Sequence, residues 1–230
     1  VGVGVQKAGT TWWFDLIAAH PGVALAPGAP KEVHYFDRFW AEPFDEAARV
    51  GYRRWFPRPP GARTGEWTPR YLHDVWVPPL LARSAPEARL LVVLRDPLER
   101  FRSGRAHEQR RRGADPAVGT DAFHRGCYGA QLERLFGHVD PTRVLVLQYE
   151  RNVADPAAEL ARTYRFLGLD DGFVPGDLTS PRNASGELAP IDPEVRTTLR
   201  ELYVEDLVRL SRLVPSVDLD RWPTWTGRGT

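Results

Sequence analysis

Sulfur is almost missing from this chain. Of 230 residues one is cysteine, Cys127, and none is methionine. A lone cysteine excludes an internal disulfide framework and any zinc site built on cysteine pairs. Lysine is equally scarce: only Lys7 and Lys31 occur, every other basic residue being arginine. No apolar run approaches the roughly 18 residues that a membrane-spanning helix needs. Excess charge of one sign is absent too. The 31 basic and 30 acidic residues leave a net +1, which argues against bulk nucleic-acid binding. What remains is ordinary for a globular protein: 42% hydrophobic and 27% charged residues, enough for a packed core. The expectation is a single domain spanning 1–230, without an internal repeat. The chain opens on strand-like residues with no initiator methionine, so a short leader is expected ahead of Val1 and a targeting segment stays open. A cytoplasmic protein of bacterial composition is the accompanying expectation.

Apolar runs without alternation mark buried parallel strands at Val1–Val5, Arg89–Leu94 and Val144–Gln148, with a shorter candidate at Val23–Leu25. Helices are predicted over Trp12–Ala19, Glu46–Trp55, Leu98–Arg112, Asp121–Phe136, Asp155–Leu167 and Asp192–Leu213. A further helix over Leu72–Ala82 is expected to be interrupted by Pro78-Pro79, and Gly113–Thr120 reads as a loop. Strands alternating with helices give an α/β fold of three layers, a mostly parallel central sheet with flanking helices.

Two turns carry the chemistry. The first, Gln6-Lys7-Ala8-Gly9-Thr10-Thr11, lies between a strand and a helix. Backbone N–H groups at a helix N-terminus bind phosphate, a glycine lets the backbone approach, and threonine hydroxyls and a lysine add donors and charge. Counted from Gly4 the pattern is G-x-x-x-x-G-T-T, with the lysine two residues before the second glycine, Gly9, rather than directly after it. A standard ATP or GTP hydrolase is therefore disfavoured. The second turn is Arg95-Asp96-Pro97 at the carboxyl end of the best strand, with Ser103 eight residues beyond the arginine. Open α/β sheets place ligands there, and an arginine fork with a hydroxyl suits a second phosphate. Arg110-Arg111-Arg112 reads as a solvated helix end. His107, His124 and His138 have no metal-ligand company, and no metal is expected.

Together these segments resemble the PAPS-dependent sulfotransferase family. Lys7 to Trp12 resembles its K-x-G-T-T-W 5′-phosphosulfate loop, and Leu90 to Ser103 its 3′-phosphate segment. Lys31 to Phe36 is similar to the K-E-x-H-F-F segment of the carbohydrate sulfotransferases and their bacterial relatives, and Gly65 to Tyr71 to their G-E-K-(S/T)-P-x-Y segment. The resemblance implies a P-loop-NTPase-like sulfotransferase fold, and sulfonyl transfer from PAPS to a hydroxyl of a small-molecule or glycan acceptor without a metal. It implies Lys7 as the cation at the leaving oxygen. It implies Ala8, Gly9, Thr10, Thr11 and Trp12 around the 5′-phosphate and adenine, with Arg95, Ser103, Tyr128 and Arg182 as further nucleotide contacts. Glu32 is implied as general base, with His34 beside it, since positions 32 and 34 of an extended segment face one side. Phe36, Trp67 and Arg70, with His34, are expected on the acceptor. Trp67 stands where the carbohydrate branch has a lysine, which weakens the case for a heparan-type anionic acceptor. The aromatic group Phe39, Trp40, Tyr52, Trp55 and Phe56 reads either as a pocket lining or as a satellite core. An ATP-dependent phosphotransferase, and a nucleotide-binding module without turnover, are the competing readings. The oligomeric state stays open.

Overall fold

A computed structural model describes residues 1–56, 59–112, 117–178 and 189–226. Three parallel strands form the sheet in the order β1 (Gly2–Gly4), β2 (Leu90–Leu94) and β3 (Val144–Gln148). The central strand β2 is buried along its whole length. It pairs in unbroken register with β3, from Leu90 opposite Val144 to Leu94 opposite Gln148. On the other side of β1 the segment 66–68 runs alongside it: Gly2 N–H donates to Glu66 O (2.8 Å) and Thr68 N–H to Gly2 O (3.0 Å). Trp67 N–H in turn donates to Lys31 O (2.7 Å), so the Lys31 segment forms the next layer outward.

Around the sheet lie α1 (Thr10–Ala18), α2 (Glu46–Arg53), α3 (Val77–Ser84), α4 (Pro97–Arg112), α5 (Ala117–His124), α6 (Tyr128–Phe136), α7 (Tyr149–Ala154), α8 (Pro156–Leu167) and α9 (Pro193–Leu213). Their ends follow the chain's chemistry. Asp155 caps α8 by accepting from Ala158 N–H, and Gly168 closes it at φ 70. Asp192 caps α9 through Glu194 and Val195 N–H. α6 packs on α9, where Gly129 leaves no room for a Cβ against the Asp206 carbonyl. Among the described residues no helix is long and apolar enough to cross a membrane.

Several expectations change. Pro78 and Pro79 do not interrupt a helix. They sit in the first turn of α3, where a missing N–H costs nothing, and residues 72–76 before it form turns. The helix expected over 121–136 is two, broken at Arg125–Cys127. There the Gly126 backbone lies against the Tyr203 ring so closely that a Cβ would clash. Residues 117–120 of the expected loop belong to α5, and 113–116 lie outside the described residues. Val23 makes one isolated bridge to Arg63 rather than a strand. The short helix α7 follows β3 directly and had no apolar period to announce it.

Candidate active site

The three strands end at one edge, and the first two put the phosphate-type turns side by side there. Lys7 carries φ 71 and Gly9 φ 75, left-handed backbone that a glycine adopts freely and a lysine at a cost. A Cβ on Gly9 would lie 2.8 Å from the Tyr149 ring, so the loop packs against the start of α7. α1 begins at Thr10 without a side-chain cap, leaving its first backbone N–H groups to an incoming anion. Ala8 is buried beneath the loop. Arg95 reaches across from the end of β2 and donates from Nη1 to Lys7 O (3.1 Å), with its guanidinium 4.9 Å above the Tyr149 ring. Burial holds Lys7 below its ordinary pKa, and the charges of Arg110 and Arg95 add to this. Arg110, read from sequence as part of a solvated helix end, thus stands close enough for its charge to act on Lys7.

Behind Arg95 the chain is pinned. Asp96 accepts from Leu98 N–H (3.0 Å) and Glu99 N–H (3.3 Å), capping α4, and from Thr224 N–H (3.0 Å) and its hydroxyl. Glu150 accepts from Asp96 N–H (2.9 Å) and from the Trp222 indole N–H (3.0 Å). Burial raises Glu150 to about 7. Tyr128, expected on the nucleotide, is fully buried and donates its hydroxyl to Arg95 O (2.9 Å). It holds the arginine's backbone instead. Ser103 is 2% exposed, on the inner face of α4. Trp12 is 4% exposed and edge-on to Trp13, so its indole is core packing rather than an open stacking face. Arg182 lies outside the described residues.

The opposite wall is the Lys31 segment. Its lysine ties the two walls together. Lys31 Nζ donates to Thr10 Oγ1 (3.3 Å), Thr11 Oγ1 (3.1 Å) and Glu32 Oε1 (3.0 Å). Both hydroxyls accept, which leaves their own protons to donate toward the loop. Glu32 Oε2 stands 3.3 Å from His34 Nε2, and His34 Nδ1 lies 2.9 Å from Asp37 Oδ2. Glu32 and His34 do meet, but not on an extended segment. His34 has φ 54.

What holds that strained backbone is a set the sequence reading missed. Three consecutive amides of the wall are engaged by side chains from residues 66–71. Val33 N–H donates to Glu66 Oε2 (2.9 Å), His34 N–H to Thr68 Oγ1 (3.3 Å) and Tyr35 N–H to Tyr71 Oη (2.8 Å). Glu66 also accepts from the Tyr52 hydroxyl (2.7 Å), and its burial raises its pKa. The E-x-T-x-x-Y spacing was the available signal, legible only once the two segments are laid together.

Three expected acceptor contacts need correction. Trp67 is 1% exposed beneath β1, where its indole fills the space a Cβ on Gly2 would take and donates to Gly4 O (3.2 Å). Phe36 is fully buried against Tyr52 and Tyr71. Arg70 is turned to Asp74 (2.6 Å) and Asp37 (3.3 Å) and acts on His34 through Asp37. Of the aromatic group, Phe39 and Tyr52 are core, whereas Trp40 and Trp55 are exposed.

Comparison with known proteins decides what this edge belongs to. A sequence model of the Sulfotransferase family matches residues 31–172, well over half of the chain. The chain belongs to the sulfotransferase family. This family member is 31% identical over 183 residues to human heparan sulfate glucosamine 3-O-sulfotransferase 3B1, covering 73% of the chain and 45% of that protein. It is 23% identical over 272 residues to human bifunctional heparan sulfate N-deacetylase/N-sulfotransferase 3, covering 97% of the chain and 30% of that protein. The chain thus spans less than half the length of these curated relatives. Among solved structures, a sulfotransferase from Alicyclobacillus acidocaldarius superposes with a TM-score of 0.74 at 25% identity, covering 96% of each chain. The sulfotransferase domain of the curacin biosynthetic pathway matches in fold, with a TM-score of 0.58 at 15% identity over 80% of this chain and 77% of that one.

Proposed function

We propose that this sulfotransferase moves the sulfonyl group of PAPS onto a hydroxyl of a small-molecule or carbohydrate acceptor. The observation that carries the reading is the Lys31 bridge, which sets a carboxylate and a phosphate-type loop on one cation. The residues fit such a donor. The open N–H groups of α1, Gly9 and the Thr10 and Thr11 hydroxyls suit one anionic group, and Arg95 suits a second. A bound PAPS supplies a sulfonyl group whose bond to the 5′-phosphate oxygen breaks as the acceptor oxygen bonds to sulfur. Lys7 sets its positive charge where that oxygen gathers negative charge. Glu32 Oε2 takes the acceptor proton, and His34, held by Asp37, stands beside that same oxygen and positions it. Lys31 keeps Glu32 Oε1 engaged, so the proton goes to Oε2, the oxygen that His34 Nε2 flanks at 3.3 Å.

Calorimetric titration with adenosine 3′,5′-bisphosphate tests the donor, with ATP and Mg²⁺ as control. The bisphosphate is expected to bind more tightly than ATP. Arg95→Ala is expected to weaken it about 10- to 100-fold, the loss of a charge-assisted contact. Preference for ATP, or an Arg95→Ala protein with unaltered affinity, would sink the reading.

A further inference from the structure

The segment after His34 turns as a 3₁₀-helix, Asp37–Trp40, and its period of three sorts the wall into stripes. Phe36 and Phe39, three apart, are both buried. Tyr35 and Arg38, three apart, are stacked, the guanidinium 5.7 Å from the Tyr35 ring. His34 and Asp37, three apart, are in contact at 2.9 Å. The next residue on that third stripe is Trp40. With a rise of about 2 Å per residue its Cα lies about 6 Å beyond that of Asp37. Its indole is 73% exposed, the largest exposure of any large hydrophobic side chain among the described residues. Core packing does not explain it.

Three cations beside this stripe are already paired. Arg38 pairs with Glu42, and Arg70 with Asp37 and Asp74. Lys31 is engaged by Glu32. Four carboxylates thus face three cations, and Trp67, which stands where the carbohydrate branch has a lysine, is buried. A polyanionic chain brought to these pairs would meet four carboxylates against three cations already engaged, whereas an uncharged ring would meet an indole face.

We propose that Trp40 is the acceptor platform of this site, and that the acceptor is an uncharged hydroxyl compound with a flat ring face rather than a sulfated polysaccharide. The inference rests on the sulfonyl-transfer reading above. The indole stacks on the ring and holds its hydroxyl in line with Glu32 and His34.

The test uses the whole chain saturated with adenosine 3′,5′-bisphosphate, titrated calorimetrically with 2-naphthol, with phenyl β-glucoside and with a heparan sulfate octasaccharide. Steady-state transfer from PAPS to the same three compounds follows. At least one neutral probe is expected to bind and to be sulfonated, with the octasaccharide inferior. Trp40→Ala is expected to raise the KM of that probe about tenfold while bisphosphate affinity is retained, and Trp40→Phe to restore most of the loss. Bisphosphate binding together with preference for the octasaccharide, no binding of either neutral probe, or an unaltered KM in Trp40→Ala overturns the inference and leaves the donor reading standing. Absence of bisphosphate binding in the wild type overturns both.

Discussion

Lys7, Gly9 and Arg95 take their places from the ends of parallel strands, whereas Glu32, His34 and Asp37 stand on a segment with no regular pairing. The donor side takes its geometry from parallel strands: β1 ends at Gly4 opposite Val92, β2 runs on to Leu94, and Arg95 reaches back to Lys7 O so that the two turns meet. The acceptor wall is instead held amide by amide through Glu66, Thr68 and Tyr71. The contrast teaches that one site combines a rigid half set by backbone and a half set by buried side-chain hydrogen bonds. Each half then answers differently to substitution.

The sharpest way to break that division is Glu32→Gln. It should lower kcat by about 10²- to 10⁴-fold, the usual worth of a general base, with adenosine 3′,5′-bisphosphate affinity unaltered. A parallel loss of nucleotide affinity would mean the halves are not separable. Next in size is a pH effect confined to the donor side. Glu150 titrates at about 7 when folded, above its ordinary 4.5, so the folded chain holds this proton more tightly than the unfolded one. Its contribution to stability is full below about 4.5 and is lost as pH rises through about 7, on the order of 3 kcal/mol at most. Wild type should therefore lose more Tm between pH 5 and pH 8 than Glu150→Gln does; identical slopes would reject the assignment. The smallest effect sharpens the acceptor side. Asp37→Asn removes the charge shared by His34 and Arg70 and should cost about tenfold in kcat, with nucleotide affinity retained. Full turnover in that variant would reduce His34 to a bystander.

The same division governs how much was legible in the sequence. Strands β2 and β3 and the helices flanking them follow from apolar runs and capping residues, and the two phosphate-type turns follow from their place at strand ends. The pairing of Glu32 with His34 was expected, but for the wrong backbone, because a positive φ at a histidine has no local signature. The hold of Lys31 on Thr11 and of Glu66 on the Val33 amide was not legible because those partners lie 20 and 33 residues away. Trp67, Phe36 and Tyr128 were read as contacts because motif position says nothing about which way a side chain turns. Tyr128 shows the cost of that silence: its hydroxyl serves the arginine from behind.

The indole under β1 also sets a boundary for anyone redesigning this protein. Trp67→Lys, the single change that would copy the carbohydrate branch, would not place an ammonium at the site's mouth. It would trap one beneath Gly2, where the indole now donates to the Gly4 carbonyl, with a void left by the ring. Gly2 and Trp67 are one unit of shape, so a redesign of either position has to change both.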